Sequence, residues 1–295
     1  MLDREDAQVF EDARPKLLGL AYRILGSLAD AEDAVQDTFL KWAKTDREEV
    51  EKAGAWLKTV CTRRCLDLLR AAHRSRVNYV GAWLPEPIHT PIENEAESRL
   101  DLASSLTTAF LLMLERLTPK ERAAYLLHEI FNVCYPEIAR ALDIQETTCR
   151  KLVSRAKANI DQAKVRHTTP VERQEQLLTA FEAAITGGAT AQLASLLSDD
   201  IRLSADGGGK VPTVLDVLRG KAEVIAFLAG SLHEYWADHQ WVIVDLNRAR
   251  GIVLTHDGAT VAAVSFAYDE AGKATNIYIV RNPDKLAHLG AVAIH

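Results

Sequence analysis

The chain is poor in several things, and each absence narrows its chemistry. It has no N-terminal stretch of signal-peptide type and no long apolar run, which argues against secretion and a membrane span and leaves the cytoplasm as the expected compartment. It has no excess of positive charge. Lys+Arg number 35 against 41 Asp+Glu, a net of −6, so the chain as a whole is not a polyanion binder. Cysteines are few: Cys61, Cys65, Cys134 and Cys149. No Cys-x-x-Cys occurs, and a zinc site would need further ligands in metal-site spacing. The four read as buried thiols in a reducing compartment, with a redox role as the alternative, and no metal or cofactor is expected. The run Asp206-Gly207-Gly208-Gly209-Lys210 lacks the following Ser/Thr and the strand–helix setting of a phosphate-binding P-loop.

What is present is unevenly spread. Between Trp56 and Arg76 stand six cations, Lys58, Arg63, Arg64, Arg70, Arg74 and Arg76, against Asp67 alone. From Thr169 onward ten Lys+Arg face fifteen Asp+Glu, a net of −5. A length of 295 residues suffices for two or three domains with proper cores.

The clearest pattern runs from Glu137 to Ala163. Pro136 suits a first helical position, Ile138, Ala139 and Leu142 mark one apolar face, and Asp143-Ile144-Gln145 makes a turn. Cys149, Leu152, Val153, Ala156 and Ile160 then fall on one stripe of a 3.6-residue helix. Thr147, Arg150, Lys151, Ser154 and Arg155 lie off that stripe. A helix–turn–helix that turns cations and hydroxyls outward fits a DNA major groove; the alternative is a helical hairpin with a solvated basic face.

Ahead of it, Val9, Ala13, Leu17, Ala21, Ile24 and Leu25 predict an amphipathic helix that stops near Gly26. A second helix, from about Asp30 to Lys44, has an apolar stripe of Ala31, Val35, Thr38, Phe39 and Trp42. Its reverse face carries Asp33, Gln36, Asp37 and Leu40, either a docking surface or a merely solvated one. A third helix, about Lys52 to Arg74, is expected to bury Leu57, Val60, Cys61, Leu68 and Ala72. Arg63, Arg70 and Arg74 share another side, where like charges repel unless a polyanion neutralises them. Residues 77–97 form a proline-containing linker in which Trp83 is expected to dock, because an exposed Trp wastes apolar area. Ser98 to Leu117 is apolar on one broad face, and Thr118-Pro119-Lys120-Glu121 reads as a capping box with proline.

These residues carry a family resemblance. Leu18-Gly19-Leu20-Ala21-Tyr22-Arg23-Ile24-Leu25-Gly26, then Ala31 to Phe39, then Trp56-Leu57 with Asp67 and Arg70, resemble region 2 of the extracytoplasmic-function sigma factors of bacterial RNA polymerase. Leu117 to Arg122 with Glu137-Ile138-Ala139 resembles their region 4. The resemblance implies docking on the β′ clamp helices through Asp33, Gln36, Asp37 and Leu40. It implies −10 promoter contacts for Lys58, Arg63, Arg64, Arg70, Arg74 and Arg76, and −35 contacts within the second helix of the hairpin, where geometry favours Thr147, Arg150, Lys151, Ser154 and Arg155. The chain departs from the commoner pattern at Asp143, where many members have Gly, and at Cys149-Arg150-Lys151-Leu152.

The last segment, 171–295, is read as helices at 177–185, 193–197 and 221–228 with strands at 201–205, 241–247, 251–255, 260–268 and 274–280, hence α+β. It resembles a SnoaL-like cone. Trp83-Leu84-Pro85-Glu86-Pro87, Asp206 to Lys210 and Asn282-Pro283-Asp284-Lys285-Leu286 resemble signatures of sigma factors with such a domain fused at the C-terminus. The expected architecture is two all-α domains, 1–76 and 98–168, followed by the cone. The expected function is an alternative sigma factor tuned in cis, with core RNA polymerase and promoter DNA as partners, no membrane, and no separate anti-sigma factor. Trp83, Pro85, Asp206, Gly207, Gly208, Gly209, Lys210, Asn282, Pro283, Asp284 and Lys285 would belong to that control, and whether the cone takes a small ligand of unknown class stays open. Two rivals stay open. One is a stand-alone DNA-binding regulator. The other is a SnoaL-type enzyme fused to a sigma-like module, with His233, Asp238, His239 and Asp257 as acid or base by residue type alone.

Overall fold

The computed structural model describes residues 4–46, 48, 50–76, 79–90, 106–162 and 169–289. The chain forms two compact units, one from Met1–Val77 and Met113–Ala163, the other from Asn78–Leu112 and Lys164–His295. This grouping differs from the domain limits expected above: 79–90 and 106–112 go with the C-terminal segment. Leu102 and residues 91–97 lie outside the described residues.

The first unit opens with three helices, α1 (Arg4–Leu25), α2 (Leu28–Lys44) and α3 (Ala53–Arg76). Gly26, at φ +69°, ends α1, a backbone state that glycine adopts without steric cost. Ser27 then caps α2 by accepting from the Asp30 N–H at 3.2 Å. Trp42 holds the three together. It is buried, donates its indole N–H to the Asp6 carbonyl at 2.9 Å, and packs 5.5 Å from Trp56. On α3 the buried row is Leu57, Cys61, Cys65, Leu66 and Leu69, whereas the expected Val60, Leu68 and Ala72 are half-buried. Leu66, Leu68 and Leu69 offer two nearly equivalent stripes, and contact with α1 and α2 selects between them.

After α4 (Thr108–Leu114), α5 (Pro119–Tyr125) starts at the expected capping box, with both reciprocal bonds between Thr118 and Glu121 in place. One π-helical turn, Leu126–Ile130, extends it. Arg122, 3% exposed, donates to the Ile24 carbonyl and to Glu115, each at 2.7 Å, so this helix is tied to the end of α1. The hairpin follows as α6 (Tyr135–Leu142) and α7 (Glu146–Gln162). Asp143 adopts the left-handed conformation, φ +51° and ψ +61°, in the turn where a glycine is commoner. An Asp is among the few side chains that reach this region.

The second unit contains α8 (Val171–Gly187) and α9 (Thr190–Leu196), then β1 (Leu197–Asp206), the two-residue β2 (Leu218–Arg219), α10 (Lys221–Phe227), a π-helical turn and α11 (His233–Trp236). Strands β3 (Gln240–Leu246), β4 (Ala249–His256), β5 (Ala259–Tyr268) and β6 (Ala274–Val280) complete one sheet, and α12 (Pro283–Leu286) follows. Its order is β2-β1-β6-β5-β4-β3. All pairs are antiparallel except β1 with β6, which run parallel with Asp206 beside Val280. The register sorts side chains onto two faces. Ile252, Leu254, Val264, Phe266 and Ile277 face the helices, with Phe181 and Trp236 packed on them. Val244, Leu246, Val253, Ala263, Tyr278 and Val280 face the other way, and there Leu84, Ala109 and Leu286 cover them.

Candidate functional site

In the first unit the candidate surfaces are the outer faces of α2, α3 and α7. On α7, Cys149, Val153, Ala156 and Ile160 are buried and Leu152 is half-buried, so the expected inner stripe is the real one. Burial raises the Cys149 thiol, with the Glu146 carboxylate adding to the rise, which suits an inert core position. Thr147, Arg150, Lys151, Ser154 and Arg155 are all exposed. Arg150 is pre-positioned: its guanidinium bonds Glu146 at 2.6 and 3.1 Å and lies 4.3 Å from the Tyr135 ring centroid.

On α2, Asp33, Gln36 and Leu40 are exposed, Leu40 to 48%, and Asp37 is half-buried. On α3 the cations are more committed. Arg63 donates from Nε to the Ala141 carbonyl at 2.9 Å and from Nη2 to the Arg140 carbonyl at 2.7 Å, closing the C-terminal end of α6. Arg64 pairs with Asp37 at 2.6 Å, which joins a residue of the expected −10 set to one of the expected docking set. Arg70 pairs with Asp67 at 3.3 Å, and Lys58 is half-buried. The side chains of Arg74 and Arg76 lie outside the described part of the chain. A phosphate contact by Arg63 or Arg64 therefore requires a change of partner. Cys61 and Cys65, one turn apart and buried, share a hydrogen bond that lowers the first thiol's pKa and raises the second's.

In the second unit the three signature stretches meet at one carboxylate. Asp206 ends β1 and is fully buried. Its Oδ1 accepts from the Tyr79 hydroxyl at 2.5 Å and the Gly208 N–H at 3.0 Å. Its Oδ2 accepts from the Leu84 N–H at 2.8 Å and from Lys285 Nζ at 2.6 Å. Four donors on one carboxylate offset its desolvation. Lys285, with its side chain 11% exposed, also donates to the Leu84 carbonyl at 2.5 Å and lies 4.4 Å from the Trp83 ring centroid and 5.3 Å from that of Tyr79. Asn282 donates to the Tyr79 oxygen at 3.1 Å and caps α12 through the Asp284 N–H at 3.1 Å. Pro283 is the first residue of that helix.

The glycines are sterically required. At Gly207 a Cβ would lie 2.5 Å from the Val211 carbonyl oxygen, and at Gly208, with φ +63°, it would overlap the Asn282 carboxamide. Gly209 has φ +71° and faces Val80. Lys210 pairs with Asp284 at 2.6 Å. The triglycine thus seats one signature against another and its lysine is engaged by a carboxylate. Trp83 is half-buried, while Leu84, Pro85, Glu86 and Pro87 are buried. Further on, Ile88 and Asn247 exchange hydrogen bonds and His89 bridges Leu246. Residues 79–90 are therefore held to the cone at both ends. Sequence reasoning missed Tyr79, because a lone tyrosine in a stretch without period carries no signal.

The acid or base candidates do not converge on a reaction centre. Asp238 and Asp257 are exposed, and His233 Nδ1 contacts the Ile185 carbonyl. Among the described residues no group of three or more His, Cys, Asp or Glu could hold a metal ion, and no helix is long and apolar enough to cross a membrane.

Known proteins agree with this layout. The Sigma-70 region 2 family model matches residues 9–75, and the Sigma-70, region 4 model matches residues 107–160. The chain is 36% identical over 228 residues to the ECF RNA polymerase sigma factor SigJ of Mycobacterium tuberculosis, covering 77% of this chain and 73% of the relative. It is 29% identical over 282 residues to the probable ECF RNA polymerase sigma factor SigI of Mycobacterium tuberculosis, covering 94% of this chain and 93% of the relative. The crystal structure of the SigJ protein superposes with a TM-score of 0.73 at 30% identity, covering 96% of this chain and 98% of that one. The two helical segments are sigma regions 2 and 4, the C-terminal segment is a fused SnoaL-like domain, and the chain belongs to the extracytoplasmic-function sigma factors of RNA polymerase.

Proposed function

We propose that this alternative sigma factor divides initiation among three surfaces and controls itself in cis. The acidic face of α2, with Asp33, Gln36 and Leu40 exposed and Asp37 half-buried beside them, docks on the clamp helices of polymerase. The α3 cations Lys58, Arg63, Arg64, Arg70, Arg74 and Arg76 serve the −10 element, where melted bases need a basic surface to offset lost stacking. Thr147, Arg150, Lys151, Ser154 and Arg155 of α7 serve the −35 element. The chain acts as an initiation factor and not as an enzyme, in the cytoplasm where polymerase and promoter are.

The control is the finer part of the proposal. One observation carries it: the Asp206 carboxylate bonds Tyr79 and Leu84 of the stretch that follows region 2, while Lys285 grips the same carboxylate and the Leu84 carbonyl. A segment whose freedom sets how region 2 and region 4 reach two promoter elements is thereby clamped by the C-terminal domain, which takes the place of a separate anti-sigma factor. The test is a pull-down and run-off assay with core polymerase. The full-length protein co-purifies with polymerase and yields promoter-dependent transcript, and Trp83→Ala or Asp206→Asn alters the yield while co-purification persists. Loss of co-purification in the wild type would favour a stand-alone regulator instead.

A further inference from the structure

One end of the cone carries buried polar nitrogens with no hydrogen-bond partner among the described residues. The register places the C-terminal ends of β1, β4 and β6 and the N-terminal ends of β3 and β5 together. His239 precedes β3, His256 ends β4, and Arg281 follows β6. The rings of His239 and His256 stack at 4.7 Å. Arg281 spends one guanidinium nitrogen on the Pro212 carbonyl at 2.6 Å, but its Nε is buried without an acceptor among the described residues. His239 Nδ1 and the indole nitrogens of Trp236 and Trp241 are buried in the same condition. Trp236 is 1% exposed, and the two indoles sit 6.1 Å apart. Buried polar nitrogens are paired in the great majority of native proteins, so this cluster takes its partners from outside the chain, from water or from a ligand that displaces it.

The charges agree. His239 is held below the usual histidine range by burial, and the positive charges of His256 and Arg281 push the same way, against Asp238. Burial also lowers the Arg281 guanidinium, which the nearby Tyr235 partly offsets. Asp238 is exposed, Asp257 pairs with His256 at 3.5 Å and Asp206 already has four donors, so none of these three acids neutralises the Arg281 guanidinium. The neighbouring wall is aromatic, with Phe181 6.0 Å from Trp241.

We propose that this end of the cone is a binding site for a small amphipathic carboxylate, its anionic head on Arg281 and His239 and its apolar body against the half-buried Trp241. Arg281 and Asn282 both donate their backbone N–H to the Asp206 carbonyl, at 2.7 and 2.9 Å. A ligand held by the Arg281 side chain therefore acts on the backbone that carries the Asp206 clamp. That coupling rests on the cis-control reading above; the site itself does not.

The test titrates full-length protein with 1-naphthoate, 4-phenylbutyrate and octanoate, each beside its neutral primary amide, and with inorganic phosphate. Tryptophan fluorescence and thermal shift are the readouts. At least one carboxylate quenches and stabilises, and its amide binds about tenfold more weakly or worse, the factor expected for a lost bond to a charged group. Arg281→Gln and His239→Gln each weaken binding by about the same factor. Should Arg281→Gln fail to fold, His239→Gln and Trp241→Phe carry the comparison. Binding of none of the three acids, equal binding of acid and amide, wild-type affinity in the variants, or phosphate binding as tightly as the acids overturns the proposal. Hydrogen exchange at Tyr79 and Leu84 separates the two readings: slower exchange with ligand supports the coupling, and ligand binding with unchanged exchange keeps the site and removes the coupling.

Discussion

Replacing Asp206 by Asn removes one buried charge at the end of β1 and turns one of its two acceptor oxygens into a donor. The side chain is fully buried and Lys285 is 11% exposed, at 2.6 Å. Deleting one partner of a buried ion pair costs about 3–5 kcal/mol, because the other charge stays desolvated and unpaired. The asparagine also presents an NH2 group to donors, whichever way it turns. Either Lys285 and the Leu84 N–H or the Tyr79 hydroxyl and the Gly208 N–H lose an acceptor. A cost of about 3 kcal/mol corresponds to a fall in amide protection of roughly a hundredfold. Hydrogen exchange read peptide by peptide measures this over 79–90 and β1 separately from the helical unit. Pairing Asp206→Asn with Lys285→Met removes both charges, and the double variant should be less destabilised than the sum of the singles by about 1–3 kcal/mol. A single-variant cost below about 1 kcal/mol, or strict additivity, would refute the claim that this pair clamps the segment.

Three further outcomes follow from the geometry. Arg150→Ala and Lys151→Ala should each lower run-off transcript without loss of polymerase binding; unchanged transcript from both would remove α7 from −35 recognition. Gly208→Ala should cost about 1–2 kcal/mol from the left-handed backbone alone, and more from overlap with Asn282, read as a lower urea midpoint. His239, with its pKa lowered by burial and by His256 and Arg281, takes up a proton less readily in the folded state than in the unfolded chain, which does so near pH ~6.5. Its contribution is present above that pH and is lost as pH falls below it. The urea midpoint of the wild type should therefore drop more steeply from neutral to mildly acid pH than that of His239→Gln, and parallel profiles would contradict the assignment.

Local chemistry made the helical elements legible. The capping box at Thr118 and the stripe on α7 depend on neighbours within one or two turns, and both appear as read. The inner row of α3 did not, since three leucines in four positions leave the period ambiguous until α1 and α2 pack against it. The parallel pairing of β1 with β6 joins residues more than seventy apart, and the two-residue β2 has no period at all. The three signature stretches were recognisable one by one, but their meeting at Asp206 was not. A buried aspartate between Ala205 and Gly207 looks in sequence like any loop acid. Its role depends on Tyr79, Leu84 and Lys285, each distant along the chain.

The central claim is that the C-terminal unit governs initiation through its hold on the segment after region 2. Run-off transcription by core polymerase, with wild type and Asp206→Asn at matched polymerase occupancy, tests it most directly. The account predicts a changed transcript yield with polymerase binding intact. Equal yields from the two proteins, together with a demonstrated loss of protection over 79–90 in the variant, would contradict it.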